Sequence, residues 1–292
     1  MKHTLKVTIT LVALFFLSQF MGMIITNEYI DHEKTAETGV TTWEELPYDF
    51  ERPPVEENKS FILIITAVLI GTGLLLLLVR FKKVMWWKVW FFLSVLICLT
   101  IALNPFIGQQ FAFLISFVLA LIKVFRPNIF VHNITEIFVY GGLAAIFVPI
   151  MNMYSVFILL FLISVYDIYA VWKSKHMVKL AEFQTESKVF AGLSIPYNLP
   201  KKELKKDRKI KVEKIEKIKT AILGGGDVAF PLLFAGVAMK TFGFFVSLII
   251  PLFATIALIF LFIKSKKDKF YPAMPFLTAG CLVGYGVIIL FF

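Results

Sequence analysis

Nine apolar runs divide the chain, at about 7–26, 61–79, 84–103, 106–122, 129–150, 154–172, 220–239, 244–263 and 272–292. Each is close to the roughly 20 mostly apolar residues that a helix needs to cross a bilayer. The fourth is short, and "NPFIGQQ" separates it from the third. The pattern predicts an all-α polytopic membrane protein of nine transmembrane helices. A single membrane-embedded unit over 1–292 is expected, with spans two to six in 61–172 and spans seven to nine in 220–292.

Composition agrees with the pattern. Of the 292 residues 59% are hydrophobic and only 17% are charged, and mean hydropathy is +0.81. The formal net charge of +10 could suggest nucleic acid, but the basic residues flank the apolar runs, so none is expected as a partner. Cys98 and Cys281 lie inside apolar runs and suit neither a disulfide framework nor a metal pattern. The four histidines are scattered, and no metal or cofactor is expected.

Basic residues in short loops set orientation. With the N-terminus inside, the inside segments carry Lys2 and Lys6, "RFKK" at 80–83, Lys123 and Arg126, the 173–219 loop and "KSKKDK" at 264–269. The 27–60 loop, with ten acidic and three basic residues, then lies outside. The C-terminus falls outside as well. Trp86, Trp87, Trp90 and Trp172 suit an interfacial belt at inside ends. The first run is expected to be a span rather than a cleaved signal peptide, because no A-x-A-like site follows it. The 173–219 loop holds fourteen basic and six acidic residues. Its lysine-rich part, 200–219, reads as a solvated helix or linker near anionic headgroups, with a regulatory or substrate-contacting segment as the alternative.

Charge inside the spans is where chemistry is expected. Of six aspartates only Asp167 and Asp227 fall within apolar runs. A carboxylate in a bilayer costs several kcal/mol or more and is a functional candidate. Counted along ideal helices, Asp167 lies roughly 8 Å from the inside end of span six and Asp227 roughly 10 Å into span seven. They therefore stand at matching depth. Spans six and seven hold no Lys, Arg or His to pair with them. Two carboxyls close together in low dielectric share a proton and titrate as a unit. Such a pair offers a general base and a general acid for amide hydrolysis by water. Gly224, Gly225 and Gly226 remove side chains beside Asp227, permitting close approach or local unwinding. "YPAMP", Tyr271 to Pro275, opens the ninth run, and its prolines shape backbone at the same level. Glu136, the one glutamate within a span, reads as a snorkelling interfacial side chain.

Together these residues resemble the presenilin and signal peptide peptidase family of intramembrane aspartyl proteases. The Y-D of the family's sixth span is matched by Tyr166-Asp167, its G-x-G-D by Gly224-Gly225-Gly226-Asp227, and its P-A-L by Pro272-Ala273-Met274. Met274 departs from the family leucine and Gly225 from a commonly larger residue. The resemblance covers the whole chain, which looks like a compact, archaeal-type homologue in the cell membrane. It implies hydrolysis of peptide bonds within transmembrane segments of membrane proteins or signal peptides. Asp167 and Asp227 would be catalytic, with Tyr166, Gly224, Gly225, Gly226, Pro272, Ala273, Met274 and Pro275 shaping the site. Tyr166, adjacent to Asp167 on a helix, is expected to shape the cavity rather than bond Asp167. A helical substrate must unwind, and its extended strand is expected to pair with a protein edge just before Pro272 or near "KVFAGLSI" at 188–195. Three other readings fit the same aspartates: an ion or proton-coupled transporter or channel, a prepilin-peptidase-type protease, and a non-catalytic scaffold.

Overall fold

The structure, a computed structural model, describes residues 5–174, 176–187, 189–196, 220–265 and 271–292. The lysine-rich stretch of 200–219 and most of "KSKKDK" lie outside the described residues. The apolar runs become helices: α1 (Leu5–Glu28), α3 (Ser60–Arg80), α4 (Val84–Ile107), α5 (Gln109–Phe125), α6 (Ile129–Phe147), α7 (Met153–Ile168), α9 (Gly225–Ser247), α10 (Ile249–Lys264) and α11 (Met274–Phe291). Two short helices lie between them, α2 (His32–Thr38) and α8 (His176–Glu186). Among the described residues seven helices are long and apolar enough to cross a membrane, and α5 and α10 are shorter apolar helices at the fourth and eighth expected positions.

The all-α expectation needs one correction. β1 (Gly192–Pro196) and β2 (Thr220–Gly224) form a two-stranded antiparallel sheet. The seventh apolar run therefore begins as a strand, and its helix starts at Gly225 rather than near Thr220. The physical reason lies in "TAILGGG". A glycine run is a poor helix interior, and β1 offers the preceding residues a ladder of backbone partners. The depth of Asp227 counted along an ideal helix from Thr220 does not hold.

α9 is the centre of the bundle. It packs against α1, α6, α7, α10 and α11, and most of its residues from Val228 to Met239 are buried. Close crossings are made by small residues, as van der Waals packing in a membrane requires. A Cβ on Gly141 of α6 would lie 3.2 Å from the Gly22 Cα of α1. Gly280 and Gly284, four apart on α11, lie against the backbone of α10. Gly142 touches the backbone of α4, where a Cβ would stand 1.8 Å from the Cys98 carbonyl oxygen.

The 27–60 segment is ordered by local rules and a few anchors. Asp31 caps α2 through the Lys34 N–H and also pairs with the Lys34 side chain, which holds its carboxyl below the usual range. The Tyr29 hydroxyl donates to the Ile101 carbonyl, and burial pushes its pKa up to about 12. Arg52 Nε donates to the Ala145 carbonyl. Among the tryptophans, Trp86, Trp90 and Trp172 are exposed, but Trp87 is buried and donates to the Val189 carbonyl. Trp87 therefore belongs to the packing of α4 and not to a surface belt.

Gly142→Ala is expected to destabilise the fold by about 3 kcal/mol, since a backbone carbonyl cannot yield as a side chain can. Gly73→Ala, with open space around the added methyl, is expected to be neutral or to stabilise by up to ~1 kcal/mol. Thermal melting of the purified variants in one detergent checks both.

Candidate active site

Asp167 occupies the last turn of α7 and is 8% exposed. Its Oδ2 accepts the Met274 backbone N–H at 3.0 Å. That donor is free because Met274 is the first residue of α11, where helix N–H groups have no intrahelical partner. Pro275 stands in the same first turn, where its missing N–H costs nothing. One turn back on α7, Ser164 Oγ and Thr278 Oγ1 of α11 are 2.8 Å apart. α7 and α11 are thus joined by two polar rungs, Ser164 to Thr278 and Asp167 to Met274. Beyond Asp167 the helix widens into a π-turn over Tyr169–Lys173. Single π-turns of this kind recur at functional sites.

Asp227 is the third residue of α9 and half-buried. It sits in the helix's first turn, where the dipole favours negative charge. Asp167 and Asp227 are near enough to interact electrostatically. The three glycines have separable reasons. A Cβ on Gly224 would stand 3.2 Å from Asp227 Oδ2, one on Gly225 3.1 Å from the Tyr140 hydroxyl, and one on Gly226 3.3 Å from the Phe230 ring. Gly225 also continues the sheet, its N–H donating to the Ala191 carbonyl at 3.1 Å. Behind Asp227, Gln19 of α1 is fully buried and donates to the Val228 carbonyl at 2.7 Å.

Tyr166 points elsewhere. Its hydroxyl lies 3.0 Å from His176 Nε2 and 3.3 Å from Thr72 Oγ1, tying α7 to α8 and α3. His176 also meets Ser174 Oγ at 2.6 Å, and burial holds its imidazole below the ordinary range. Pro272, Ala273 and Met274 are buried beside Asp167.

The snorkelling reading of Glu136 is wrong. Glu136 is 2% exposed and pairs with Lys123 Nζ at 2.6 Å. Lys123, taken for a loop residue, is itself buried at the end of α5. The second Glu136 oxygen accepts the Tyr140 hydroxyl and the Gly192 N–H. The reason is tertiary: α5 folds back against α6, so an apparent inside lysine meets an apparent span carboxylate. Ser164 was also missed. The signal available was helical spacing, since Ser164 is three residues before Asp167 and Thr278 four after Met274.

The profile of the family described as "Signal-peptide peptidase, presenilin aspartyl protease" matches residues 41–292. The chain belongs to this family and is an integral, multi-pass membrane protein. The fold is similar to that of a presenilin family intramembrane aspartate protease solved in space group P2, with TM-score 0.62, 16% identity, and 96% of each chain covered. The same description in space group C222 matches with TM-score 0.59 and 16% identity, covering 96% of this chain and 95% of that one. No curated protein matches the chain.

Gly192 has φ +141, and a Cβ there would stand 2.2 Å from the Leu223 carbonyl oxygen. Gly192→Ala is expected to loosen the sheet while leaving the helices folded. Faster amide exchange confined to 192–196 and 220–224 is the expected reading.

Proposed function

We propose that this protein is an intramembrane aspartyl protease in which Asp167 and Asp227 together activate water for attack on a peptide bond within a transmembrane segment. The observation that carries the reading is the placement of two carboxyls on consecutive long helices that pack against each other in an apolar bundle, Asp167 in the last turn of α7 and Asp227 in the first turn of α9. One proton shared by the pair leaves one carboxyl as base and the other as acid, which suits hydrolysis without a covalent intermediate. The Met274 N–H holds Asp167 in place. Gly224 keeps the space beside Asp227 open, since a Cβ there would crowd Asp227 Oδ2. The reading includes nine spans, an inside N-terminus and an outside C-terminus, and substrates that are membrane proteins or signal peptides.

The sheet supports a route for the substrate. A transmembrane helix hides its carbonyls in its own hydrogen bonds and must unwind before attack. The Gly225 to Ala191 bond sets the alternation along the ladder, so Leu223 and Ala221 face β1 with their backbone groups. Ile222 then turns its N–H and C=O to the opposite edge, five residues before Asp227. An unwound substrate adding to that edge would run directly past Asp227. The docking edge in this reading is β2, which neither sequence expectation named: 188–195 supplies its partner strand β1, and the stretch just before Tyr271 lies outside the described residues.

Purified protein with a single-span substrate tests the reading. Cleavage is expected for wild type and abolished by Asp167→Asn, which keeps an acceptor for the Met274 N–H, and by Asp227→Asn, each with a nearly unchanged melting temperature; Asp167→Ala is expected to abolish cleavage and also to lower the melting temperature. Cleavage that survives any of these changes rejects the pair as the catalytic device. Ile222→Pro removes the outward N–H at a position where an edge strand tolerates proline. It is expected to preserve folding and suppress cleavage, read as KM raised at least severalfold.

A further inference from the structure

The sheet has a second edge, and α6 covers it. On β1 the N–H and C=O groups of Gly192 and of Ser194 point outward, and all four have partners on α6. Gly192 N–H donates to Glu136 at 3.1 Å, and Gly192 C=O meets His132 Nε2 at 2.7 Å. Ser194 N–H donates to Asn133 Oδ1 at 3.1 Å, and Ser194 C=O accepts from Asn133 Nδ2 at 2.9 Å. A carbonyl only accepts, so the His132 proton sits on Nε2. Three side chains from just over one turn of helix thus imitate a neighbouring strand. Lys123 fixes that turn from below. Its Nζ reaches Glu136 Oε1 at 2.6 Å, Thr135 Oγ1 at 2.8 Å and the His132 carbonyl at 3.3 Å.

We propose that His132, Asn133 and Glu136 are positioning residues that close the β1 edge and set the register of the sheet, so that substrate adds only to the β2 edge beside Asp227. An open sheet edge is a template for any extended chain, and two open edges would admit substrate on the side away from Asp227. Closing β1 with side chains removes that choice. The buried Lys123–Glu136 pair fits the same role. Such a pair offers little net stability over apolar residues of similar volume, and its best-attested use is to specify register. Register matters here because a slip of one residue exchanges inward and outward groups along the strand. The Gly225 link to Ala191 carries the setting of β1 into the first turn of α9 and hence to Asp227.

The inference rests on the protease reading, and the test separates the two. Asn133→Leu removes both bonds to Ser194 without leaving a buried charge. The full chain in lipid nanodiscs is given a single-span substrate, and KM, kcat, cleavage positions by mass spectrometry and amide exchange are compared. For Asn133→Leu, KM is expected to rise severalfold and by no more than about thirtyfold, the full worth of two hydrogen bonds of ordinary net strength. Cleavage is expected to spread over neighbouring peptide bonds, and exchange to quicken at 192–196 and 220–224. The paired change Lys123→Met with Glu136→Gln is expected to do the same; if that protein does not fold, Asn133→Leu decides. Wild-type KM and an unchanged product set overturn the inference while the protease reading stands. Faster exchange with wild-type KM and products overturns it too, since the contacts would then be a prop alone. If wild type cleaves nothing, the protease reading fails, and the exchange data judge the register role: unchanged exchange in Asn133→Leu rejects it.

Discussion

A carboxyl in an apolar bundle must be given a partner, and Asp167 finds it in the backbone N–H of Met274. The bond depends on the start of a helix, where main-chain donors have no intrahelical partner. It therefore fixes where α11 begins relative to the last turn of α7. Ser164 and Thr278 repeat the link one turn away. The proline-rich opening of α11 and the lone aspartate of α7 are two halves of one contact. Asp227 is treated differently. It stands in the first turn of α9, supported by the helix dipole and cleared of side chains by the glycines before it. The two acids thus occupy unlike settings, one at the end of α7 bonded to the Met274 N–H and one in the first turn of α9 beside Gly224, the last residue of β2.

The sheet is the unusual element. Extended backbone inside a helical membrane protein leaves polar groups without helical partners, and each unmet group costs free energy. Here the inner groups of β1 and β2 meet each other. The outer groups of β1 meet Asn133, His132 and Glu136. Glu136 in turn is held by Lys123 and Tyr140, so charges far apart in sequence form one buried cluster with the strand. The outward backbone of Ile222 has no such cover among the described residues.

At 16% identity the fold is shared with the solved proteases over nearly the whole chain. Little of that likeness can depend on particular large side chains. The crossings at Gly22 with Gly141, at Gly142, and at Gly280 with Gly284 show what a bundle of this kind needs instead: small residues where backbones approach. Large apolar residues elsewhere can be exchanged as long as volume is conserved.

The apolar runs, their approximate limits, the two intramembrane aspartates and the motifs beside them were all legible in sequence. The physics behind them is local: a bilayer demands long apolar segments, and an acid within one stands out against a uniform background. What could not be read there is everything that depends on which segments meet. The strand at Thr220–Gly224 looks like the start of an apolar helix until β1 supplies its hydrogen bonds. Lys123 and Glu136 look like a loop lysine and an interfacial glutamate until α5 turns back on α6. Tyr166 looks like a neighbour of Asp167, but its helical direction sends its hydroxyl to His176 and Thr72. Sequence determined the solvent each segment requires, because transfer free energy belongs to the residues themselves. The tertiary structure decided the polar pairings, because a buried hydrogen bond or ion pair exists only when two distant parts of the chain arrive at one place.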